Sequence, residues 1–360
     1  VTNMAERKSR QMLRRVKEIN PSAVLVVCGC YAQVAKNELE QIPEIDIILG
    51  INEKNEIVQI VENYMEKMAE QDKRSQEAEI DDVSKQKEFL DFGDVTYTEK
   101  NRAVVKVQDG CNMFCSYCII PYARGRIRSR KIESVVSEIK KIAKEEIKEV
   151  VITGIHVASY GKDFDNENTS KKIRLIDLLE AINKIDGIDR IRLSSLEPTI
   201  VDEEFATRLS KLDKICDHFH LSLQSGCNET LKRMNRKYTT QIYRDAVATL
   251  RKYYPEASFT TDVIVGFPGE TDEEFAKTYE FLKEIDFYRL HVFKYSPRRG
   301  TVAEKMPNQI DGNKKEERSN KLIELSNNTE NKHNKNYIDK TVKVLFEEFE
   351  DGFFKGHTTN

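Results

Sequence analysis

A regular alternation of strands and helices between residues 103 and 295 restricts the fold more than any other feature of the sequence. Six short apolar segments recur there, and each of the first five is followed by a helical pattern. Parallel strands need a crossover segment between them, so this alternation indicates an α/β protein with a parallel sheet. Six units are two fewer than in a closed eightfold barrel, and the sequence therefore predicts an open, partial (β/α)6 barrel. The predicted strands are 103–109, 149–154, 190–195, 218–224, 258–266 and 289–295, and the predicted helices are 132–147, 174–185, 201–211, 240–252 and 271–284.

Segments on either side of the barrel predict further domains. The chain opens on an amphipathic helix, and strands at 22–30 and 45–50 then alternate with helices at 33–42 and 52–68, as in a second α/β layer. The charged stretch that follows has no proline, which predicts a mobile linker that can be helical in part. Beyond a long polar helix at 312–335, "KTVKVLFEEFEDGFFKG" is typical of the first strands of a small all-β domain. The predicted domains are 1–65, the linker 66–96, the barrel 97–335 and the β segment 336–360.

The two ends of the chain suggest truncation. The sequence begins at Val1 rather than at a methionine, and the last β segment is too short to bury a core of its own. We therefore expect that both terminal domains are incomplete.

The composition excludes several classes of protein. A formal net charge of −3 gives no overall attraction to a polyanion, so any nucleic-acid surface must be local. No run of about 18 apolar residues is present, and we expect no contact with a membrane. Seven cysteines in 360 residues are too few for a disulfide scaffold, and three of them are crowded together. This pattern indicates a reducing compartment, the cytoplasm, and a metal or redox site.

Three cysteines form the strongest chemical signal. Cys111, Cys115 and Cys118 directly follow the first predicted strand of the barrel, and the carboxyl ends of such strands form the active face of parallel β/α folds. Thiolates at this spacing suit Zn²⁺ or an iron–sulfur cluster. A structural zinc site needs four protein ligands, and no nearby histidine or cysteine supplies the fourth. Three ligands on a cubane leave one iron open for catalysis, whereas three unrelated cysteines are the alternative.

Five cations come directly after the cysteines, in "RGRIRSRK". Arginine binds phosphates through two parallel hydrogen bonds, and phosphates dominate the affinity of proteins for RNA. The alternative is a solvated helix start, although cations near a helix N-terminus oppose its dipole. Similar reasoning applies to "KRMNRKYT" (232–239) and "SPRRG" (296–300). The sequence predicts contact with the phosphates of RNA by Arg124, Arg126, Arg128, Arg130 and Lys131.

The motifs together resemble a known family. The chain resembles the methylthiotransferases of the radical S-adenosylmethionine superfamily over almost its whole length except the linker. It is most similar to the branch that acts on N6-threonylcarbamoyladenosine (t6A) in tRNA. The isopentenyladenosine branch usually has an "SPHP"-like stretch in place of "SSLEP", and "LPLQSGS" in place of "LSLQSGC". The matching segments are "VTNMAERKSRQ", "CGCYAQ", "GCNMFCSYCIIPYARGRIRSR", "RLSSLEP", "HLSLQSGCNETLKRMNRKYT", "TTDVIVGFPGETDEEF" and "FKYSPRRGTVAEKM".

The resemblance implies two iron–sulfur clusters. The three clustered cysteines would hold a [4Fe–4S] cluster whose open iron chelates S-adenosylmethionine, and an electron from it would generate a 5′-deoxyadenosyl radical. A second [4Fe–4S] cluster would donate sulfur, and of its three ligands only Cys30 is present, since the others would lie before Val1. Cys28, on the preceding strand, is expected to be a buried apolar residue. Cys216 and Cys227 are expected to be structural, with Cys227 a minor candidate for the site because it follows "QSG".

The resemblance also implies polar groups at the other strand ends. Thr153, Gly154 and His156 follow the second strand, Ser194, Ser195 and Glu197 the third, and Gln224 and Ser225 the fourth. Asp262 lies within the fifth, and a charge in an apolar strand needs a partner or a function. The alternatives are that Glu197 is only a neighbour of a helix cap and that "GFPGET" is a plain strand–turn–helix connection. The predicted cofactor-binding residues are Tyr117, Gly154, Glu197, Gln224 and Ser225, and Asp262 is predicted to be catalytic together with the three clustered cysteines. Some of the arginines could instead meet the carboxylate of S-adenosylmethionine.

The function implied is methylthiolation of C2 of t6A at tRNA position 37, which gives ms2t6A. A radical route fits the absence of an acid–base pair, because a hydrogen on an aromatic carbon is not acidic enough for a side-chain base. The alternatives are action on N6-isopentenyladenosine or on a ribosomal protein aspartate, and, from another class, a non-catalytic zinc protein that binds RNA. The expected partners are tRNA and a small reductant protein of the flavodoxin or ferredoxin type. The β segment resembles the start of an RNA-binding TRAM-like domain, and we expect a monomer.

Overall fold

The computed structural model describes residues 3–71, 75–91, 93, 101–164 and 172–360. These residues form two compact units. The first unit contains the described part of 1–92 together with Gly110–Arg126 and Ser296–Glu304. The second contains the described part of 93–109 together with Ile127–Tyr295 and Lys305–Asn360. The loop that bears the three clustered cysteines therefore belongs to the first unit, although the strand that precedes it belongs to the second.

The first unit is built on a three-stranded parallel sheet. Its strands are β1 (Val26–Cys28), β2 (Ile47–Leu49) and β3 (Glu77–Glu79), in the order β1-β2-β3. Its helices are α1 (Asn3–Ile19), α2 (Cys30–Val34), α3 (Lys36–Leu39), α4 (Ile57–Gln71) and α5 (Ile120–Arg124). All of β2 is buried, because side chains alternate between the two faces of a strand and both faces are covered. Ile48 packs in a cluster that α1 joins, whereas Ile47 and Leu49 pack in a cluster with α4.

Two sequence predictions differ from the structure in this unit. The helix predicted at 33–42 is split into α2 and α3, because Ala35 has a φ of −127° and leaves the helical region. The charged stretch predicted as a linker contains the end of α4 and the edge strand β3. Gln76 anchors that strand, since its side-chain amide donates to the carbonyls of Ile42 and Ile45 (3.1 Å each). Such long-range hydrogen bonds cannot be predicted from the periodicity of the sequence. The predicted domain boundaries stay a prediction.

The second unit contains the predicted partial barrel. Its strands are β4 (Arg102–Asp109), β5 (Arg128–Ser129), β6 (Glu149–Gly154), β7 (Arg190–Leu193), β8 (His218–His220), β9 (Ser258–Val265) and β10 (Arg289–Lys294). They form two sheets, β5-β4-β6-β7 and β8-β9-β10, and bridges at Ile191–Ile215 and Leu196–Leu221 join β7 to the segments around β8. The pairs among the six predicted strands are parallel, and only the short β5 runs antiparallel to β4. The curled half-barrel confirms the predicted fold.

Helices cover the outer face of this sheet. They are α6 (Ile132–Lys144), α7 (Leu175–Asn183), α8 (Glu203–Leu209), α9 (Asn228–Arg233), α10 (Thr240–Tyr253), α11 (Asp272–Ile285) and α12 (Gly312–Lys335). Apolar residues of strands and helices form one buried cluster, which explains the nearly continuous apolar runs of the strands. Side chains fix several helix starts, as where Thr271 and Glu274 form a capping box at α11. Across the described part of the chain, no helix is both long and apolar enough to cross a membrane.

A hairpin of β11 (Leu345–Glu350) and β12 (Phe353–His357) ends the chain and is compatible with the predicted all-β segment. It packs near Glu149, the first residue of β6, which is completely buried. The Glu149 carboxylate accepts a hydrogen bond from Arg192 (2.7 Å), and His357 lies 2.7 Å away. Arg190 donates to the carbonyls of Lys343 and His357 (3.1 Å each). Burial alone would raise the pKa of Glu149, but the hydrogen bonds and charges of Arg192 and His357 outweigh it and lower that pKa.

Candidate active site

The cysteine loop begins at a glycine that no other residue could replace without distortion. Gly110 has a φ of +70°, and a Cβ there would lie 1.8 Å from the Arg126 carbonyl oxygen. This close approach brings the two ends of the loop together. The Cys111 amide then donates a hydrogen bond to the Gly125 carbonyl (3.1 Å). The loop is therefore closed at its base.

The three thiols lie within this closed loop. Cys111 and Cys115 are buried and Cys118 is half-buried, and Tyr117 between them is half-buried as well. The Cys118 amide donates to the Cys115 carbonyl (2.9 Å), and the Met113 amide donates to the Cys111 sulfur (3.4 Å). Burial raises the pKa of the Cys118 thiol, and the nearby positive charge of Arg298 acts in the opposite direction.

The donor set fits an iron–sulfur cluster better than a single ion. Among the residues that the structure describes, no three Cys, His, Asp or Glu side chains are grouped to hold one metal ion. In a cubane each thiolate binds a different iron, so the three thiolate sulfurs lie farther apart than the ligands of one ion. One loop offers three sulfur donors, and no cysteine or histidine close to them in sequence supplies a fourth ligand, as an open cluster site requires.

Cys30 belongs to the same unit as the cysteine loop. It is the first residue of α2, and α2 packs against α5, the helix that follows Cys118. Because some 80 residues separate Cys30 from the cysteine loop in the chain, the sequence pattern did not predict this proximity. Cys28 is exposed at the end of β1, so the expectation that it is buried was wrong. The buried residue of this three-residue strand is Val27, which belongs to the core, whereas Cys28 is the last residue of the strand.

The remaining two cysteines lie in the second unit. Cys216 and Cys227 are each 1% exposed, and burial raises the pKa of Cys216 to about 12. A thiol with so high a pKa is not reactive at neutral pH, in agreement with a structural role.

The five cations predicted to bind tRNA fall into two groups. Arg126 and Lys131 are exposed and Arg124 is half-buried, and the Arg126 guanidinium lies over the Phe114 ring, 4.8 Å from its centroid. Arg128 is 1% exposed and Arg130 is 8% exposed. Their roles in tRNA binding stay predictions, but the geometry favours the exposed group.

The two buried arginines, Arg128 and Arg130, each lie beside a buried carboxylate. Arg128 lies 3.8 Å from Asp109, at the end of β4. Arg130 pairs with Glu138 and donates to the Ser134 hydroxyl (3.0 Å). A buried arginine with a carboxylate partner is not available to a phosphate, and the whole segment 128–130 is buried.

The other predicted cationic stretches are divided in the same way. Lys232, Lys237 and Arg299 are exposed. Arg298, in contrast, is buried and lies 3.1 Å from Glu6, whereas Arg236 pairs with Glu197. Only part of each basic stretch is therefore exposed.

Gly154, at the carboxyl end of β6, lies against β4. A Cβ at this position would be 2.9 Å from the Cβ of Gln108, so the glycine permits a close approach of the two strands. The Gln108 side-chain oxygen then accepts a hydrogen bond from the His156 amide (2.7 Å). This contact fixes the start of the turn that follows β6.

Glu197 is the centre of a buried polar cluster in the second unit. It is 3% exposed, and its carboxylate lies 3.1 Å from His156 and 3.1 Å from Arg236, while Thr199 donates to it (3.2 Å). Burial would raise the pKa of Glu197, but the hydrogen bond and charge of His156 and the charge of Arg236 lower it overall. The carboxylate is therefore ionised, and it orients His156, which also lies 2.6 Å from the Ser159 hydroxyl. The sequence singled out Glu197 and His156, whereas Arg236 is a partner that only the fold identifies.

Gln224 and Ser225 differ in what their side chains reach. Gln224 has a φ of +70° and lies beyond the end of β8 at His220, so the strand predicted at 218–224 is shorter in the structure. The Gln224 amide donates to the Asp262 carbonyl (2.8 Å). Ser225 is completely buried. Its hydroxyl accepts a hydrogen bond from the Cys227 amide and lies against the Thr278 hydroxyl, at 3.2 Å in both cases. A cofactor-binding role for Ser225 stays a prediction that this core position does not support.

Asp262 lies beside a group of histidines that sequence reasoning missed. Its carboxylate is 3.4 Å from the ring of His220, and it is in register with His291 on the next strand. The rings of His220 and His291 are 5.6 Å apart, and His218 completes the group, with burial lowering its pKa to about 4. The spacing of His218 and His220 places both on one face of β8, which is the signal that could have been used. His291 joins them only through the pairing of strands.

Known proteins resemble the chain over most of its length. The model of the radical SAM superfamily matches residues 105–282, and that of uncharacterized protein family UPF0004 matches residues 1–50. The threonylcarbamoyladenosine tRNA methylthiotransferase MtaB of Bacillus subtilis (strain 168) is 39% identical over 365 residues, which cover 100% of this chain and 78% of that protein. A tRNA-2-methylthio-N(6)-dimethylallyladenosine synthase of Thermoanaerobacter sp. (strain X514) is 38% identical over 339 residues, which cover 93% and 69%. A solved structure of the cobalamin-dependent S-adenosylmethionine radical enzyme OxsB matches with a TM-score of 0.51 at 13% identity, over 91% of this chain and 46% of that one, and supports the fold alone.

Proposed function

Since the chain belongs to the methylthiotransferase family of radical S-adenosylmethionine enzymes, we propose that it methylthiolates C2 of t6A at position 37 of tRNA, beside the anticodon. Membership of the superfamily implies a [4Fe–4S] cluster and S-adenosylmethionine as cofactors. The substrate is the part that we infer. The observation that carries it is the 39% identity to a t6A-specific relative along the whole chain.

Charged groups near the strand ends of the second unit support this choice of substrate. The threonylcarbamoyl group of t6A bears a carboxylate and several hydrogen-bonding atoms, whereas a dimethylallyl group is a hydrocarbon. Glu197 lies in the "SSLEP" stretch, where the other branch usually has "SPHP", and forms a polar cluster with His156 and Arg236. An ionised carboxylate and a guanidinium suit a polar substrate group better than a hydrocarbon, because it is costly to bury charged groups against an apolar surface.

The cysteine loop would hold the cluster. Cys111, Cys115 and Cys118 are its proposed ligands, and the cluster, when bound, supplies the electron that cleaves S-adenosylmethionine to a carbon radical. The protein fixes the ligands through the closed base of the loop at Gly110, and it shields two of the thiols from water.

We propose Cys30 as a ligand of a second cluster that donates the sulfur. The packing of α2 against α5 supports this role, since it places Cys30 in the same compact unit as the first ligand set. A sulfur donor must lie close to the site where the radical forms, because a carbon radical reacts with what is nearest.

The cations that are not buried are the proposed tRNA contacts. The exposure of Arg126 and Lys131 and the partial exposure of Arg124 support contacts with phosphates, and the base to be modified would be presented from an unpaired loop. Arg128 and Arg130 would instead stabilise the segment from which the others project. A small flavodoxin- or ferredoxin-like protein would supply electrons, the enzyme would act in the cytoplasm, and we expect a monomer.

The second candidate substrate is N6-dimethylallyladenosine in tRNA. The 38% identity to a synthase named for that product favours it over the ribosomal protein aspartate. The two tRNA substrates differ only in the group on N6, so the reaction at C2 would be the same.

Nucleoside mass spectrometry of tRNA tests the proposal. In a strain that lacks the gene for this chain, ms2t6A should disappear and t6A should accumulate, while methylthiolated dimethylallyladenosine stays unchanged. The wild-type gene should restore ms2t6A, and a variant with Cys115→Ala should not. Unchanged ms2t6A in the deletion strain would refute the proposal, and loss of the dimethylallyl product instead would select the second candidate.

A further inference from the structure

A short turn at Ser296–Glu304 belongs to the first unit, far in sequence from the other parts of that unit. Gly300 has a φ of +81°, and the Thr301 hydroxyl donates to the Arg298 carbonyl (2.7 Å). The Gly300 amide donates to the Glu304 carboxylate (2.9 Å). These local bonds make the turn a rigid support for the side chain of Arg298.

The turn is attached to the cysteine loop. The Ala303 amide donates to the carbonyl of Ser116, which lies between Cys115 and Cys118 (2.8 Å). Gly300 lies against Ile119, the residue after Cys118, such that a Cβ on the glycine would be 3.6 Å from the isoleucine side chain. The turn that carries Arg298 is thereby fixed against the segment that bears Cys118.

Arg298 has a donor that no described residue uses. The residue is 9% exposed, and its Nη2 lies 3.1 Å from the Glu6 carboxylate. Its Nε is buried and has no hydrogen-bond partner in the described part of the chain. A buried guanidinium N–H without an acceptor is costly, and so an acceptor outside the described residues is expected.

We infer that this acceptor is a sulfur of the cluster bound by the cysteine loop, and that Arg298 raises the reduction potential of that cluster. The inference rests on the proposed function only in requiring the cluster. A hydrogen bond to a cluster sulfur and a nearby positive charge both stabilise the reduced, more negative state. Glu6 weakens the effect, because its carboxylate partly cancels the charge of Arg298. Arg298 is thus a positioning residue for the electron transfer that starts the reaction, rather than a catalytic residue.

The test is an anaerobic redox titration of the reconstituted chain, followed by electron paramagnetic resonance in the absence of S-adenosylmethionine. Arg298→Gln should shift the one-electron midpoint to a more negative value, by about 59 mV for a tenfold change in the reduction equilibrium. Arg298→Lys retains the charge but loses Nε, so it should shift the midpoint in the same direction by less. Glu6→Gln should shift it to a more positive value. Arg299→Gln is the matched control, because the neighbouring side chain is 84% exposed, and its midpoint should equal that of the parent.

A parent-like midpoint in Arg298→Gln, with the parent's iron and sulfide content, would overturn the inference. Weaker binding of S-adenosylmethionine without a change in the midpoint would overturn it too, since Arg298 would then bind the cosubstrate. If Arg298→Gln does not retain iron, the reduction midpoints of Arg298→Lys and Glu6→Gln test the proposal instead. Equal midpoints in these two variants would refute it, because the proposal expects them to shift in opposite directions. The tRNA product is measured separately, so a wrong substrate and a wrong role for Arg298 give different results.

Discussion

Replacement of Gly110 by alanine should remove the cluster while leaving the fold intact. The added Cβ would lie 1.8 Å from the Arg126 carbonyl oxygen, whereas real Cβ atoms are essentially never closer than 3.0 Å to such an atom. The two ends of the cysteine loop must therefore separate by at least 1.2 Å, the difference between these two distances. Ligand geometries tolerate displacements of only about 0.5 Å. Substitution of residues that orient metal ligands typically lowers metal affinity by about 10–100-fold. We therefore expect the iron affinity of Gly110→Ala, measured in competition with a chelator, to be at least about tenfold lower than that of the parent.

Gly352→Ala is the matched control for this substitution. Gly352 has a φ of +82°, similar to the +70° of Gly110, but apart from Gly352 itself and its two neighbours in the chain, no atom of the described residues lies within 4 Å of the position that a Cβ would take there. An alanine in the left-handed region costs about 1–2 kcal/mol in either case, so the control reports the backbone penalty without the clash.

The assay compares iron and sulfide per chain after anaerobic reconstitution, together with thermal unfolding of the metal-free proteins. Gly352→Ala should bind iron like the parent, despite its lower stability. Full iron and sulfide in Gly110→Ala, with a parent-like paramagnetic spectrum, would refute the idea that the close approach at Gly110 sets the ligand geometry.

Three further substitutions test other parts of the structure. Glu149→Gln leaves the two arginines that it binds without their buried carboxylate, and chemical denaturation should show a loss of about 3–5 kcal/mol, whereas the exposed Glu203→Gln should leave the midpoint nearly unchanged. Because folding lowers the pKa of Glu149, its stabilisation is complete above the unfolded value of about 4.3 and decreases as pH falls through the folded pKa; a variant with the same acid sensitivity as the parent would contradict this. Arg126→Ala should reduce the slope of tRNA affinity against salt concentration by about 0.7–0.9, as measured by fluorescence anisotropy, and an unchanged slope would exclude a phosphate contact. Cys30→Ala should still form 5′-deoxyadenosine but no methylthiolated tRNA, unlike the exposed Cys28→Ala, and a parent-like yield of product would remove Cys30 from the second cluster.

The C-terminal hairpin makes tertiary contacts that its sequence pattern did not predict. The stretch "KTVKVLFEEFEDGFFKG", which contains both strands, predicted the start of an all-β domain. The pattern did not predict that Glu149 and the two arginines would meet His357, because these residues come from three separate segments. Charged residues at strand starts look solvated in a sequence, yet here they are buried because they neutralise one another.

The amino-acid sequence by itself determined the half-barrel and predicted the proposed ligand set of the first cluster. Both are local in the chain: strand and helix periodicities arise within single segments, and Cys111, Cys115 and Cys118 share one loop, so no distant contact was needed to recognise them. The tertiary structure alone decided which cations are exposed, which partners Glu197 has, and that Cys30 and Arg298 lie in the same unit as the cysteine loop. The physical reason is that burial and pairing depend on how distant segments pack, and a residue's type and neighbours in sequence do not specify that packing.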